Sequence, residues 1–382
     1  MGVYLNPDNP AFRKAVNSGI YVDKSGLISY TNKVINTQQR YICMGRPECF
    51  GKTMAADMLA AYYSSGCSSE DLFDGLEIVK DHSYRKHLNR HNVIYLNMQH
   101  FFLRGTKIDN FIDDVQNAIT TELKEAFGEN LKSEYDRLPM VFNRIFLRTG
   151  ERFVFIVDEW DYIFRFYKKH LNVQQDFMNF LCVLFKDQVY AELVYMTGIL
   201  PVKKYGTHSS LNMFDEFTMV DQFYLDRFFG FTETEVRRLC SQSKLPFSEM
   251  QQWYDGYVLD RIHIYNPKSV VSAVQSGQFK NYWASVEDYE TLQFYVNLDF
   301  PGLKEAVTGM LGDVPCKICP RTFLNDMITF KRKDDVLTLL VHLGYLAFDE
   351  TAEEVYIPNR EIRNVFLEVA KVSGWEDFLC RQ

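Results

Sequence analysis

The chain has 382 residues, with 42 Lys and Arg against 50 Asp and Glu, a formal charge of −8, and 47% apolar and 15% aromatic residues. That composition allows a large core, excludes global disorder, and argues against a strongly basic nucleic-acid binder. No run of about 18 apolar residues appears, so no helical membrane span is expected. The opening "MGVYLNPDNPAF" has no charged region leading into an apolar one, so no secretory leader is expected and the expected location is cytoplasmic. At roughly 150 residues per domain the length suggests two or three units.

The elements in chain order alternate. "RYICM" (40–44) is a short apolar run before a glycine and reads as a buried strand. After "GKT" comes "MAADMLAAYY", rich in Ala, Met and Leu, a helix. "NVIYLNM" (92–98) is a second strand. Residues 108–129 place Ile108, Phe111, Ile112, Val115, Ala118, Ile119 and Leu123 at helical spacing. "RFVFIVDEWD" (152–161) is an apolar strand ending in acids, residues 173–187 are a helix, and "AELVYMTG" (191–198) is a fourth strand. "EFTMV" (216–220) is a candidate fifth. Strands alternating with helices imply an α/β fold with a largely parallel sheet. Near residue 230 the pattern changes. Thr232 before Glu233 and Glu235 marks a helix start, and "YDGY" and "YNPKS" mark turns. Residues from 334 onward read helix, Gly344, strand, acidic turn, strand, helix, the outline of a winged helix.

The stretch "CMGRPECFGKTMAADMLAAYY" (43–63) carries the clearest chemistry. A phosphate loop needs converging backbone N–H groups, a small residue for close approach, and a helix N-terminus aimed at the anion. Strand, loop and helix follow here in that order. Gly51 permits the approach, Lys52 reaches the β- and γ-phosphates, and Thr53 offers a hydroxyl to Mg²⁺. The usual first glycine is replaced by Arg46. About a hundred residues on, Asp158 and Glu159 close an apolar strand. An acid there can hold Mg²⁺, and its neighbour can orient and deprotonate a water.

Other features read more plainly. The eight cysteines include one C-x-x-C, Cys316 and Cys319, with no second pair at usable spacing, so reduced thiols are expected. Across residues 331–364 five basic side chains face seven acidic ones, and "DETAEE" sits at the tip of the wing, so DNA binding is not favoured. Trp253, Tyr254 and Tyr257 surround an Asp-Gly turn and read as packing. His100, His208 and His342 stand apart from one another. The basic loop "KKYGTHSS" (203–210) reads as surface, with Lys203 or Lys204 as the alternative γ-phosphate contact.

Taken together, "GIYVDKS" (19–25), "RPECFGKT" (46–53), "FIVDEWD" (155–161), "MTGILPVKKYGTHSSLNMFDEFTM" (196–219), "GFTETEV" (230–236), "WYDGY" (253–257), "YNPKSV" (265–270), "YW" (282–283) and "GYLAFDE…VYIPNREI" (344–362) resemble the bacterial predicted AAA-ATPase-like family. That family is related to archaeal-type and STAND-like P-loop ATPases, and its loop reads R-P-R-R-F-G-K-[ST]. The resemblance covers nearly the whole chain. It implies a P-loop sheet of strand order 5-1-4-3-2 in residues 1–228, a helical lid in 229–325, and a winged-helix element in 326–382. It implies ATP and Mg²⁺ as cofactors. The nucleotide would be held by Arg46, Pro47, Phe50, Gly51, Lys52, Thr53 and Met54, with Tyr21 and Asp23 beside the adenine. Thr53 and Asp158 would hold Mg²⁺, Glu159 would be the base, and Thr197 would sense the γ-phosphate alongside Lys52. The expected activity is an ATP-driven switch releasing ADP and phosphate, with a protein partner or second copy. Two departures stand out. Glu48 and Cys49 replace basic residues of the loop, which favours the alternative of a non-hydrolysing nucleotide-binding scaffold. Many relatives also carry a nuclease-like domain after the winged helix, and no Asp…Glu-x-Lys strand pair occurs here. A DNA-binding regulator is the third reading.

Overall fold

A computed structural model describes residues 2–128, 137–202, 211–221, 224–283, 286–324 and 327–375. Five strands form the main sheet: β1 (Tyr41–Gly45), β2 (Asn92–Asn97), β3 (Phe153–Asp158), β4 (Ala191–Gly198) and β5 (Asp215–Phe217). Their order is β2-β3-β4-β1-β5, the expected 5-1-4-3-2 read from the other edge. β3 runs parallel to both β2 and β4. β1, β3 and β4 are buried at every position, so they appear in sequence as mainly apolar runs, broken by Glu192 and Thr197 in β4 and by Asp158 at the end of β3. The expected fifth strand is shorter than its apolar run and starts one residue earlier.

The chain divides into two compact units, 1–44 with 52–203 and 208–216, and 45–51 with 204–207 and 217–382. In the first unit, helix Lys52–Tyr63 lies against the sheet through small buried residues, among them Ala55, Ala56, Ala60 and Ala61. Helix Phe111–Phe127 buries Phe111, Val115, Ile119 and Leu123, an i, i+4 stripe. Its first turn, Ile108–Asn110, is 3₁₀ rather than α. Helices Leu138–Thr149 and Leu171–Phe185 complete the main cover. The N-terminal residues run along the outer edge of β2. Leu5 bridges Ile94 in antiparallel sense, Asn6 N–H reaches Val93 O at 2.8 Å, and Tyr95 N–H reaches Tyr4 O at 2.8 Å. The Glu122 carboxylate accepts the N–H groups of Val3, Tyr4 and Leu5 at 2.8, 2.8 and 2.7 Å.

The second unit contains two small antiparallel sheets. β6 (Phe231–Thr232), β7 (Tyr257–Leu259) and β8 (Ile262–Tyr265) pair in the order β6-β8-β7. The β7–β8 turn places Asp260 and Arg261 at φ 47° and 63°, the left-handed pair a tight hairpin requires. Thr232 and Glu235 form a capping box on helix Glu233–Ser243, at the helix start expected from sequence. Helix Lys333–Leu343 ends at Gly344 (φ 88°) and is followed by hairpin β10 (Ala347–Asp349) and β11 (Glu354–Tyr356), then helix Arg360–Val372. That is the expected helix, strand, turn, strand, helix order. A two-residue strand, β9 (Cys316–Lys317), joins β11 as a third member. Helix Lys333–Leu343 is buried continuously from Asp335 to His342. Ile318 continues the pairing of β9 through Glu353 O, so Cys316 and Cys319 lie three residues apart on extended chain, about 10 Å. That is too far for a disulfide without backbone movement. Among the described residues no helix is long and apolar enough to cross a membrane.

Candidate functional site

The loop residues 45–51 group with the second unit. Arg46 occupies the first-glycine position, and its side chain turns inward. Its guanidinium pairs with Asp226 and donates to the carbonyls of Gly45 (2.7 Å) and Phe217 (3.1 Å). Both charged side chains are fully buried, and the guanidinium lies 5.7 Å from the Phe229 ring centroid. Pro47 and Phe50 are buried. Phe50 O accepts the Gly230 N–H at 2.9 Å, and its ring meets Tyr257 edge-on at 5.4 Å. A Cβ on Gly344 would come within 2.8 Å of Pro47. These contacts hold the loop's apolar side chains away from solvent. Glu48 and Cys49 are exposed. A solvated Glu48 carboxylate repels an anion at the aqueous end of the scale, about 1 kcal/mol at 4 Å. Cys49 (φ 64°) and Gly51 (φ 90°) both adopt the left-handed region, which bends the backbone ahead of the helix.

Lys52 and Thr53 open the helix in the first unit. Lys52 is 4% exposed, and Met54 is exposed. The Thr53 hydroxyl donates to Asp158 Oδ2 at 2.8 Å. Asn97 Nδ2 donates to the same oxygen at 2.9 Å, and the Thr197 hydroxyl donates to Oδ1. Strand register explains the cluster. Asn97 and Asp158 are paired residues at the ends of β2 and β3, and Val157 pairs with Met196, which brings Thr197 beside Asp158. Asp158 is fully buried, and three donors orient its carboxylate. The Thr197 hydroxyl, expected to sense the γ-phosphate, donates to Asp158 in this structure. Asn97 was not anticipated. Its only sequence signal is a polar residue closing an otherwise apolar strand at the level of Asp158.

Glu159 sits at φ 55°, and its carboxylate is bonded by Arg165. Arg165 also lies 3.2 Å from Asp161, whose Oδ2 accepts the N–H groups of Ile199 and Leu200 at 2.9 Å each. Burial pushes the Glu159 carboxyl upward from its ordinary value, while Arg165 and Lys52 pull it back; the net direction is up. Asp57, one turn beyond Thr53, is raised to about 6 by burial, against a hydrogen bond from Tyr95 and with the Asp158 charge adding to the rise.

The two residues expected beside adenine make contacts within the first unit. Asp23 accepts the backbone N–H groups of Ser25 (2.8 Å) and Glu77 (2.7 Å). Tyr21 is half-buried, its ring centroid 6.2 Å from that of Phe12 in an edge-on contact, and burial, then Asp23, raises its hydroxyl. Lys203, Lys204 and His208 lie outside the described residues.

A hydroxyl and a carboxylate oxygen 2.8 Å apart are a hard-oxygen pair of the kind Mg²⁺ takes alongside phosphate and water, so the residues fit that ion. Sheet order, loop and this pair define a P-loop nucleotide-binding fold. The sequence profile described as "Predicted AAA-ATPase" matches residues 11–207, just over half the chain, and the chain belongs to that family. A curated relative, "Uncharacterized protein in vnfD 5'region" of Azotobacter chroococcum mcd 1, is 25% identical over 279 residues, covering 69% of this chain. The match spans about half of that relative's length. Among solved structures, AMPPCP-bound DnaA from Aquifex aeolicus shares 9% identity, with 97% of this chain and 93% of that one covered and a TM-score of 0.35. The Aeropyrum pernix ORC2 protein, in ADPNP and ADP complexes, shares 9% identity over 94% and 98% of the two chains, also at 0.35.

Proposed function

We propose that this protein binds ATP with Mg²⁺, hydrolyses it to ADP and phosphate, and uses the cycle as a switch. The observation that carries the reading is the 2.8 Å contact between Thr53 and Asp158, which joins the residue after Lys52 to the acid closing β3 across 105 positions of sequence. In this reading the amides around Gly51 and the Lys52 ammonium hold the phosphates, and Thr53 and Asp158 hold the ion. Mg²⁺ would neutralise charge on the β- and γ-phosphates. Glu159 orients and deprotonates the attacking water once its carboxylate leaves Arg165. Thr197 acts through Asp158 rather than on phosphate directly. Switching follows from the loop's own anchoring: a shift of residues 45–51 on phosphate binding is passed to Asp226 through Arg46 and to Gly230 through Phe50. The partner is a protein or a second copy of the chain.

Calorimetric titration with ATP and Mg²⁺ tests binding: saturable heat in the native chain that disappears in Lys52→Ala is expected, and equal heats refute the site. Phosphate release lost in Glu159→Gln is expected of the enzyme. The Glu159–Arg165 pair favours a second reading, a scaffold that binds nucleotide without turnover; absence of phosphate release from native protein that still binds ATP would select it. DNA reading by residues 326–382 is disfavoured, because helix Lys333–Leu343 offers no exposed face between Asp335 and His342. Absence of a gel shift at low salt would remove it.

A further inference from the structure

The first unit holds a cavity of about 300 Å³ that shares Thr53 with the nucleotide reading and is otherwise lined by residues that reading does not assign. Its walls come from four places. Thr53, Asp57 and Ala60 lie on one face of helix Lys52–Tyr63, at i, i+4 and i+7. Tyr95 and Asn97 alternate onto one face of β2. His100 and Arg104, four apart, come from helix Met98–Leu103 and its C-cap. The N-terminal segment closes the remaining side, with Pro7, Pro10 and Phe12 apolar and Asp8 acidic.

The polar groups of this cavity are incompletely satisfied, and in opposite senses. Asp57 Oδ1 accepts the Tyr95 hydroxyl at 2.9 Å, while Oδ2 takes no hydrogen bond from any described residue. Arg104 donates to the Tyr4 hydroxyl at 2.9 Å and forms no ion pair with a carboxylate among the described residues. Asp57 is half-buried and Arg104 exposed, so the anion lies on the inner side and the cation at the mouth. Apolar walls lower the local dielectric and strengthen any ion pair formed against them. A ligand complementary to this arrangement carries an ammonium inward and a carboxylate outward, on a body small enough for the volume.

We propose that this cavity binds a free amino acid, with its ammonium on Asp57 and its carboxylate on Arg104. Three ammonium hydrogens suit the open Asp57 oxygen together with the Thr53 oxygen on the same helix and the Tyr95 oxygen on β2. The guanidinium offers a planar fork that matches a carboxylate. Because Thr53 both lines the cavity and bonds Asp158, an occupant would lie next to the residues assigned to the metal.

The test is calorimetric titration of the full chain, without nucleotide, with each of the twenty proteinogenic L-amino acids to about 10 mM. At least one is expected to bind saturably, and Asp57→Asn and Arg104→Met are each expected to weaken it at least about tenfold. Circular dichroism checks that both variants fold; Arg104 is exposed, so its variant stays informative if Asp57→Asn does not fold. The amine lacking the carboxylate, and the acid lacking the amine, of the tightest binder should each bind at least about tenfold more weakly. No saturable binding by any of the twenty, binding unchanged in Arg104→Met, or the amine alone binding as tightly overturns the proposal. Lys52→Ala should leave amino-acid binding intact, which separates failure of this proposal from failure of the nucleotide site.

Discussion

Replacing Asp226 with Ala should unfold the protein far more easily than a typical substitution. Arg46 and Asp226 are both fully buried, and Asp226→Ala removes the carboxylate that pairs with the guanidinium deep in the second unit. The carbonyls of Gly45 and Phe217 continue to accept hydrogen bonds from it but do not neutralise it. Breaking one half of a buried pair costs about 3–5 kcal/mol. For a unit of this size each kcal/mol shifts Tm by about 2–4 °C, so a fall of roughly 6–20 °C is expected. Replacing both partners by apolar residues, as in Arg46→Met with Asp226→Leu, removes the desolvation cost along with the attraction, and should return stability to within about 1 kcal/mol of wild type. The assay is urea unfolding of wild type, Arg46→Met, Asp226→Leu and the double variant, with Asp226→Ala alongside, followed by tryptophan fluorescence. A loss below about 1 kcal/mol for Asp226→Ala, or losses that simply add in the double variant, would refute the argument.

Other outcomes follow from the same geometry. His342 is buried, its Nδ1 has no hydrogen-bond partner among the described residues, and burial, then Arg46, lowers it to about 3. A histidine depressed on folding binds its proton more readily when unfolded, so its contribution is lost as pH falls from about 6.5 towards 3, by about 2 kcal/mol at pH 5. His342→Phe should shrink the stability difference between pH 7 and pH 5 by that amount in urea unfolding; an unchanged difference rejects the assignment. Arg165→Met removes a charge that holds the Glu159 carboxyl down, so the acid limb of the pH–rate profile for phosphate release should move to higher pH. An unmoved limb would exclude Glu159 as the titrating base. Gly256→Ala places a Cβ 1.8 Å from Pro358 O at φ 107°, and thermal unfolding should report a loss of at least about 2 kcal/mol.

Sequence revealed most of the sheet because β1, β3 and β4 are buried on both faces, which calls for the mainly apolar runs seen there. Thr53 and Asp158 were legible for a related reason: a hydroxyl after the loop and an acid ending a buried strand each sit at an element boundary. What stayed hidden depended on pairing across distance. Asp226 lies 180 residues from Arg46 and has no local signature. Arg165 follows Glu159 by six positions, but a turn separates them and Arg165 lies on the short helix Tyr162–Phe166, so no single period relates the two. The β7–β8 hairpin escaped notice because its left-handed turn uses Asp260 and Arg261 where glycine or asparagine would have announced it. Nor does the sequence announce that Asp23 accepts two backbone amides.

The three amides fastened to Glu122 have a bearing on assembly. With Tyr4 and Asn6 occupying the hydrogen-bonding positions of β2, that flank of the sheet cannot recruit a foreign strand. A second molecule therefore has to dock through side chains or through the opposite flank, where β5 provides three residues. Glu122→Ala would loosen this seal, and the first sign would be concentration-dependent self-association by light scattering.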